Sequence, residues 1–337
     1  MFLYSKEDIM ESYTPQPLLI EQVKENSAAL KFLSQEISKV IVGHEETIHF
    51  IIIAILCNGH ILLEGVPGVA KTTMIKAVTK ALGLTFKRIQ FTPDLLPADL
   101  IGTLVYNQKT QDFETKPGPI FAHLILADEI NRTPAKVQAA LLEAMQEQQV
   151  TIGSQTFALE KPFLVFATQN PIEQEGTYRL PEAQVDRFLF KLIVDYPTMA
   201  QERYIIQHTA DLSLINPIFS KEEIFAFQEL AKQVYVDQKI VDYIVNIIFA
   251  TRKPELFNKA IKKYIQYGVS PRATIALYNA AQAHAFLKQR YFVTPDDVKA
   301  VASTVLRHRI VLSYEAEAEN VMPDDIIRTI LNSVPAP

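Results

Sequence analysis

Residues 60–83 read HILLEGVPGVAKTTMIKAVTKALG, and the fold class turns on them. His60–Glu64 is an apolar run of strand length. From Lys71 onward Met74, Ile75, Val78 and Leu82 recur at three- and four-residue spacing, and Gly83 supplies a helix stop. Between them lies Gly65-Val66-Pro67-Gly68-Val69-Ala70-Lys71-Thr72. In a strand–loop–helix of this kind, backbone N–H groups and the helix N-terminus converge on an anion. Lys71 adds a point charge, and Thr72 offers a hydroxyl to Mg²⁺. The commoner pattern has glycine where Ala70 stands, so alanine there is expected to keep an ordinary negative φ with room for its methyl. The competing reading is a glycine-containing turn that caps a helix; the strand before and the helix after favour a phosphate loop.

Working outward, His123–Glu129 (HLILADE) puts two carboxylates at the end of a second apolar run. Open α/β sheets bind ligands at such strand ends. Asp128 suits a Mg²⁺ ligand acting through water, and Glu129 suits a group that polarises an attacking water. Phe163–Ala167 leads to Thr168-Gln169-Asn170, where Asn170 is placed to orient that water or touch a terminal phosphate, against a default Asn-Pro turn. Arg187, after Asp186, and Arg272, in Ser270-Pro271-Arg272, are candidates for charge on a transferring phosphoryl group. A solvated surface arginine is the alternative for each.

Thr85–Phe91 alternates like a strand, and Phe188–Val194 is a fifth apolar run. Thr133-Pro134 reads as a cap with proline at the first helical position, and Val150–Leu159 as a hairpin around Gly153-Ser154. Strands alternating with helices over 60–196 indicate a parallel sheet covered on both faces. Beyond Pro197 the β signals stop, and helices are expected near 221–235, 238–251, 271–288 and 295–308. The first 25 residues read as a loosely ordered lead-in.

These residues carry a resemblance. EGVPGVAKT at 64–72, FTPDLLPADLIG at 91–102, PGPIFAHLILADEINRTP at 117–134, ALLEAMQEQQVTIG at 140–153, NPIEQEGTYRLPEAQVDRF at 170–188 and GVSPRA at 268–273 are similar to the MoxR family of AAA+ ATPases. The likeness covers nearly all of the chain after the lead-in, and that family commonly carries alanine at the Ala70 position. It implies an α/β P-loop domain over 26–197 with a parallel sheet covered by helices, and an all-helical lid domain over 198–337. It also implies a helix-2 insertion at 92–120 and a hairpin at 150–160, both near a central pore. Val42 and Gly43 would flank adenine. Gly65, Pro67, Gly68, Val69, Ala70, Lys71, Thr72 and Thr73 would hold the ATP phosphates, with Thr72 and Asp128 on Mg²⁺. Glu129 would be the catalytic base, Asn170 the first sensor, Arg187 an arginine finger acting on a neighbouring subunit, and Arg272 the second sensor coupling the lid to the nucleotide. Arg132 and Arg179 are further candidates for contact across the interface.

The resemblance implies a homo-oligomeric ring, a hexamer, that remodels a protein partner, often one with a von Willebrand factor A domain. A magnesium-chelatase-like motor subunit and a DNA-translocating motor remain open as alternatives. Composition bears on them. At 337 residues the chain has room for about two domains. Hydrophobic residues make up 48% and charged residues 21%, which excludes wholesale disorder. The formal charge of −5 offers no global attraction to nucleic acid or anionic lipid, although Lys109 and Lys116 in the insertion are available to line a pore. The single cysteine, Cys57, reads as a small buried hydrophobe and excludes an intramolecular disulfide. The Phe50–Leu63 run is too short and too interrupted to span a bilayer, so a cytoplasmic location is expected.

Overall fold

The computed structural model describes residues 17–170, 177–208 and 210–337. Positions 1–16 of the expected lead-in and 171–176 of the 170–188 motif lie outside them. Helices α1 (Pro17–Ser38) and α2 (Glu45–Leu56) precede β1 (Ile61–Gly65), α3 (Lys71–Ala81) and β2 (Phe86–Gln90). The insertion follows as α4 (Pro97–Ile101), β3 (Gly102–Asn107) and β4 (Asp112–Pro117). Next come β5 (Leu124–Asp128), α5 (Ala135–Glu147), the hairpin β6 (Gln149–Ile152) and β7 (Gln155–Ala158), then β8 (Leu164–Gln169), α6 (Glu182–Val185) and β9 (Phe190–Val194).

Five strands pair in the order β2–β5–β8–β1–β9, all parallel. Successive side chains point to opposite faces, and both faces of the inner strands are covered, which is why β5 and β8 read as apolar runs while edge strand β2 alternates. Ile61, Leu63, Leu124 and Leu126 pack on one side with α1, α2 and α3. Leu62, Ile125 and Val165 pack on the other with α5. Because β8 is inserted between β1 and β5, the C-terminal ends of these three strands lie side by side. Leu63 is level with Thr168, and Ala127 with Ala167. That arrangement positions the site.

After β9 the chain is mainly helical: α7 (Met199–Gln207), α8 (Lys221–Lys232), α9 (Gln238–Arg252), then β10 (Ile265–Tyr267), α10 (Pro271–Leu287), α11 (Pro295–Leu306), β11 (Val311–Leu312), α12 (Tyr314–Ala318) and α13 (Pro323–Ser333). The Thr198 hydroxyl accepts from Gln201 N–H, and Ser270 from Arg272 N–H, so α7 and α10 begin where their caps predict.

Three expectations are corrected. The lead-in is helical from Pro17: Val23, Ser27, Leu30, Leu33 and Ile37 are buried at three- and four-residue spacing, a stripe that α1 turns onto α3, α8 and α10. The lid is not purely helical, since β10 and β11 form an antiparallel pair and Tyr235 bridges Phe292. Strands of two and three residues are too short to leave a periodic signal. Finally, α5 starts at Ala135, because Pro134 has an extended ψ of 153° and no side-chain cap precedes it.

Candidate active site

The loop after β1 is shaped by backbone constraints at two glycines. A Cβ on Gly65 would lie 2.4 Å from the Val194 carbonyl oxygen, so β9 approaches too closely for any side chain. Gly68 has open space around it but a φ of +86°, which L-residues avoid. Ala70 departs from expectation. Its φ is +57°, left-handed, at the residue that caps α3. The loop must turn its last carbonyl into the helix, where Ala70 C=O accepts from Met74 N–H at 2.9 Å. The methyl therefore sits in a conformation costing about 1–2 kcal/mol.

The first turn of α3 leaves its N–H groups free for an anion. They face a cavity of about 380 Å³ lined by Pro67, Gly68, Ala70, Lys71, Thr72 and Thr73 on one side, and by Asp128, Glu129, Thr168 and Asn170 on the other. Lys71 Nζ donates to the Gly65 carbonyl. Burial lowers the ammonium pKa, while the charges of Asp128, Glu129 and Glu64 oppose that shift.

The two carboxylates are held differently. Thr168 Oγ1 donates to Asp128 Oδ1 at 2.6 Å and accepts the Glu129 N–H at 2.8 Å. Arg88 donates to Asp128 Oδ2 from Nε at 2.9 Å and Nη2 at 2.6 Å. Glu129 has φ +59° and ψ +49°, a left-handed backbone outside glycine, and its Oε2 accepts from Gln90 Nε2 at 2.6 Å. The Arg132 guanidinium also lies against it, at 3.2 Å. Arg132 thus contacts its own Glu129. Arg179 lines a polar recess between sheet and lid that meets the phosphate cavity only at Gln169.

A second cavity, of about 320 Å³, shares Gly68, Ala70 and Thr73 with the first and extends to Val42, His44, Val69, Tyr204 and Ile205. Its lining is mainly apolar. The Tyr204 and His208 rings stack at 4.0 Å. Burial lowers His44 below the usual imidazole value, with Glu45 opposing, so the ring is neutral. Gly43 does not line this cavity; it sits against the Gln201 side chain, where a Cβ would meet Cδ at 2.4 Å. Sequence reasoning reached Val42 but missed Tyr204 and His208, whose four-residue spacing on a capped helix is the available signal.

Arg187 and Arg272 are not in either cavity. They line a third, of about 260 Å³, with Gln146, Asp186, Asn279 and Arg309. Arg187 Nη1 donates to the Leu142 carbonyl at 2.9 Å, and Arg272 lies 3.8 Å from Asp186. Asp186 also accepts from Ser270 Oγ at 2.8 Å and Arg309 Nε at 2.9 Å. Arg309 is pulled down to about 10 by burial, with Asp186 opposing, and stays charged. Arg272 therefore stands beside Arg187, outside the phosphate cavity of its own chain. Cys57 Sγ donates to the Asn279 carbonyl, and burial pushes its thiol up to about 12. It is no nucleophile.

A parallel sheet with a phosphate loop after β1, paired acids after β5, a polar sensor position after β8 and a helical lid defines a P-loop ATPase of the AAA+ type. The family described as "ATPase family associated with various cellular activities" matches residues 60–190, and the AAA lid domain matches 258–330. The chain is 48% identical to Chaperone MoxR1 of Mycobacterium tuberculosis over 307 residues, covering 90% of this chain and 81% of that protein. It is 31% identical to the MoxR protein of Methylorubrum extorquens over 331 residues, covering 92% and 95%. A solved structure from Cytophaga hutchinsonii, assigned as an ATPase, superposes with a TM-score of 0.89 at 47% identity, covering 94% and 97% of the two chains. The chain belongs to the MoxR family of AAA+ ATPases. Among the described residues no helix is long and apolar enough to cross a membrane.

Proposed function

We propose that this chain hydrolyses ATP with Mg²⁺ in a homo-oligomeric ring, a hexamer, and uses the cycle to remodel or activate a protein partner. The catalytic body spans 26–197 and the lid 198–337. One observation carries the reading: Lys71, Thr72, Asp128, Glu129 and Asn170 converge on a single cavity from three adjacent strand ends. The apolar cavity that opens from it beside Val42 suits a base, and neutral His44 suits its edge.

The metal fits the donors present. The Thr72 hydroxyl and Asp128 carboxylate are hard oxygen ligands, and Mg²⁺ characteristically takes one or two protein oxygens, with phosphate and water supplying the rest. When bound, it neutralises charge developing on the phosphate oxygens. The chain's own groups do the positioning. N–H groups of the first turn of α3 and the Lys71 ammonium hold the phosphates. Glu129 takes the proton of the water that attacks the γ-phosphorus in line, and Asn170 orients that water. Most of the acceleration comes from placement and electrostatics.

The arginines argue for a ring. Arg187 and Arg272 face a cavity that shares no lining residue with the phosphate site, which supports Arg187 as a finger on the nucleotide of a neighbour, with Arg272 beside it as the second sensor that couples the lid to nucleotide. The partner is a protein, of a class that often carries a von Willebrand factor A domain as the family resemblance implies; the name of the mycobacterial relative, a chaperone, supports remodelling. Glu129→Gln keeps the carboxylate's shape and removes the base. Purified with ATP and Mg²⁺, it should retain unhydrolysed ATP, assemble more stably by native mass spectrometry, and capture the partner. Turnover within a few-fold of wild type would overturn the role of Glu129 and the mechanism with it.

A further inference from the structure

Both oxygens of Asp128 are engaged by the protein itself. Oδ1 accepts from the buried Thr168 hydroxyl, and Oδ2 accepts two N–H bonds from Arg88. Arg88 lines the phosphate cavity with Asp128 and Lys71. Its Nη2 also donates to Gln90 Oε1 at 2.8 Å, and Gln90 Nε2 donates to Glu129 Oε2 at 2.6 Å. One chain of hydrogen bonds on edge strand β2 therefore spans both carboxylates. Arg88 and Gln90 stand two residues apart, on the same face of the strand, and Gln90 is level with Asp128.

With Oδ1 taking the Thr168 hydroxyl, a divalent cation that draws on Asp128, directly or through a bound water, competes at Oδ2 with a guanidinium of the same sign at 2.6 Å. We propose that Arg88 is a positioning residue that holds Asp128 and, through Gln90, Glu129 in the metal-free site, and that a divalent cation arriving with nucleotide displaces its guanidinium. This rests on the reading of Asp128 as a metal ligand. Displacement removes the donor that orients the Gln90 amide and so loosens one of the two side chains on Glu129 Oε2, the other being Arg132 at 3.2 Å. The same strand continues into the insertion through Phe91, whose N–H donates to the Asp128 carbonyl at 2.9 Å.

The Arg88 side chain is 48% exposed and Asp128 13%, so the ion pair is a modest competitor. Mn²⁺ is the probe, its free signal followed by electron paramagnetic resonance with full-length protein in excess over ADP. Arg88→Met keeps the stem and loses the charge; it should bind Mn²⁺ about two- to fivefold more tightly than wild type, as removal of a partly exposed ion pair allows. Wild-type affinity should also rise with added salt relative to the variant, because salt weakens the pair. Arg88→Lys, which loses the two-pronged geometry and keeps a cation, should fall between them, and it carries the test if Arg88→Met fails to fold by circular dichroism. Asp128→Asn separates the two ideas. If it binds Mn²⁺ as wild type does, the metal-ligand reading fails and this proposal with it. If Asp128→Asn loses Mn²⁺ while the Arg88 variants bind as wild type or more weakly, displacement by the metal is overturned and the metal site stands.

Discussion

Thr168→Val tests whether a single hydroxyl sets the paired carboxylates. Thr168 is 1% exposed, and its Oγ1 both receives the Glu129 N–H and donates to Asp128. Valine fills the same space with a methyl and can do neither. A buried N–H left without a partner costs about 1–3 kcal/mol, and losing a bond to a charged acceptor costs a similar amount. Asp128 keeps Arg88, which limits the second loss, so a net destabilisation of about 2–4 kcal/mol is expected. The effect on catalysis is separable. Glu129 holds a left-handed backbone at φ +59°, a strain of about 1–3 kcal/mol that persists only where the surroundings enforce it. Freed of the Thr168 bond, that backbone relaxes and moves its carboxylate. A displacement near 1 Å can cost about 10²-fold in rate. Urea melts give the first quantity and steady-state ATPase rates at saturating nucleotide the second. Thr168→Ser, which keeps the hydroxyl, should recover most of the turnover. If valine and serine are equally impaired, packing explains the loss and the hydroxyl does not. If valine matches wild type, the geometry of the carboxylates does not depend on this bond.

Lys71→Ala should abolish tight MgATP binding in folded protein, because Lys71 is the side-chain cation of the loop; calorimetric titration checks it, and wild-type affinity would remove the phosphate-loop assignment. Asp297 carries a pH dependence. Burial alone would raise its carboxyl, but hydrogen bonds from His284, Arg290 and Thr294 outweigh burial and hold it well below the usual range. Its contribution to stability is present above the unfolded value near pH ~3.9 and is lost as pH falls toward the lower folded value. Asp297→Asn should cost about 1–3 kcal/mol by taking the carboxylate from Arg290, which keeps its bonds to Phe292 and Thr294, and should flatten the acid limb of stability measured by denaturant melts from pH 7 to 3; an unchanged acid limb would count against it. Arg187→Ala should retain ATP but lose about 10³–10⁵ in rate. Mixed with Lys71→Ala it should regain partial turnover that tracks protein concentration, and confirmed mixed rings without recovery would count against action on a neighbour.

The sheet was legible because β1, β5 and β8 lie in short, mainly apolar runs and edge strand β2 alternates, and the phosphate loop because strand, glycines, lysine and helix occur in a fixed order. What escaped reading depends on contacts distant in sequence. Arg88 and Gln90 look like the solvated side of an alternating edge strand, and their partners lie about 40 residues away. The Arg309 link to Asp186 spans 123 residues. Ala70 was misread for a different reason. A local steric preference set the expectation, and the closure of the loop onto α3 overrides it. The stripe of α1 was present in the sequence but hidden by the polar residues around it.

Asp186 and Arg187 are consecutive, and that adjacency ties the lid to Arg187. Asp186 accepts from Ser270, at the start of α10, and from Arg309, just after α11. Arg309 is 8% exposed and also donates to the main-chain carbonyls of Asp186, Phe188 and Leu189. Removing one partner from a buried, charged cluster of this kind typically costs about 3–5 kcal/mol, more than an exposed hinge would resist. The lid therefore does not swing free of the Asp186–Leu189 segment. On the proposed reading, any shift of α10 and α11 carries Arg187 and Arg272 together toward or away from the neighbouring phosphate site. Nucleotide state in one subunit and lid position in the next are then linked through side chains that the fold has already joined.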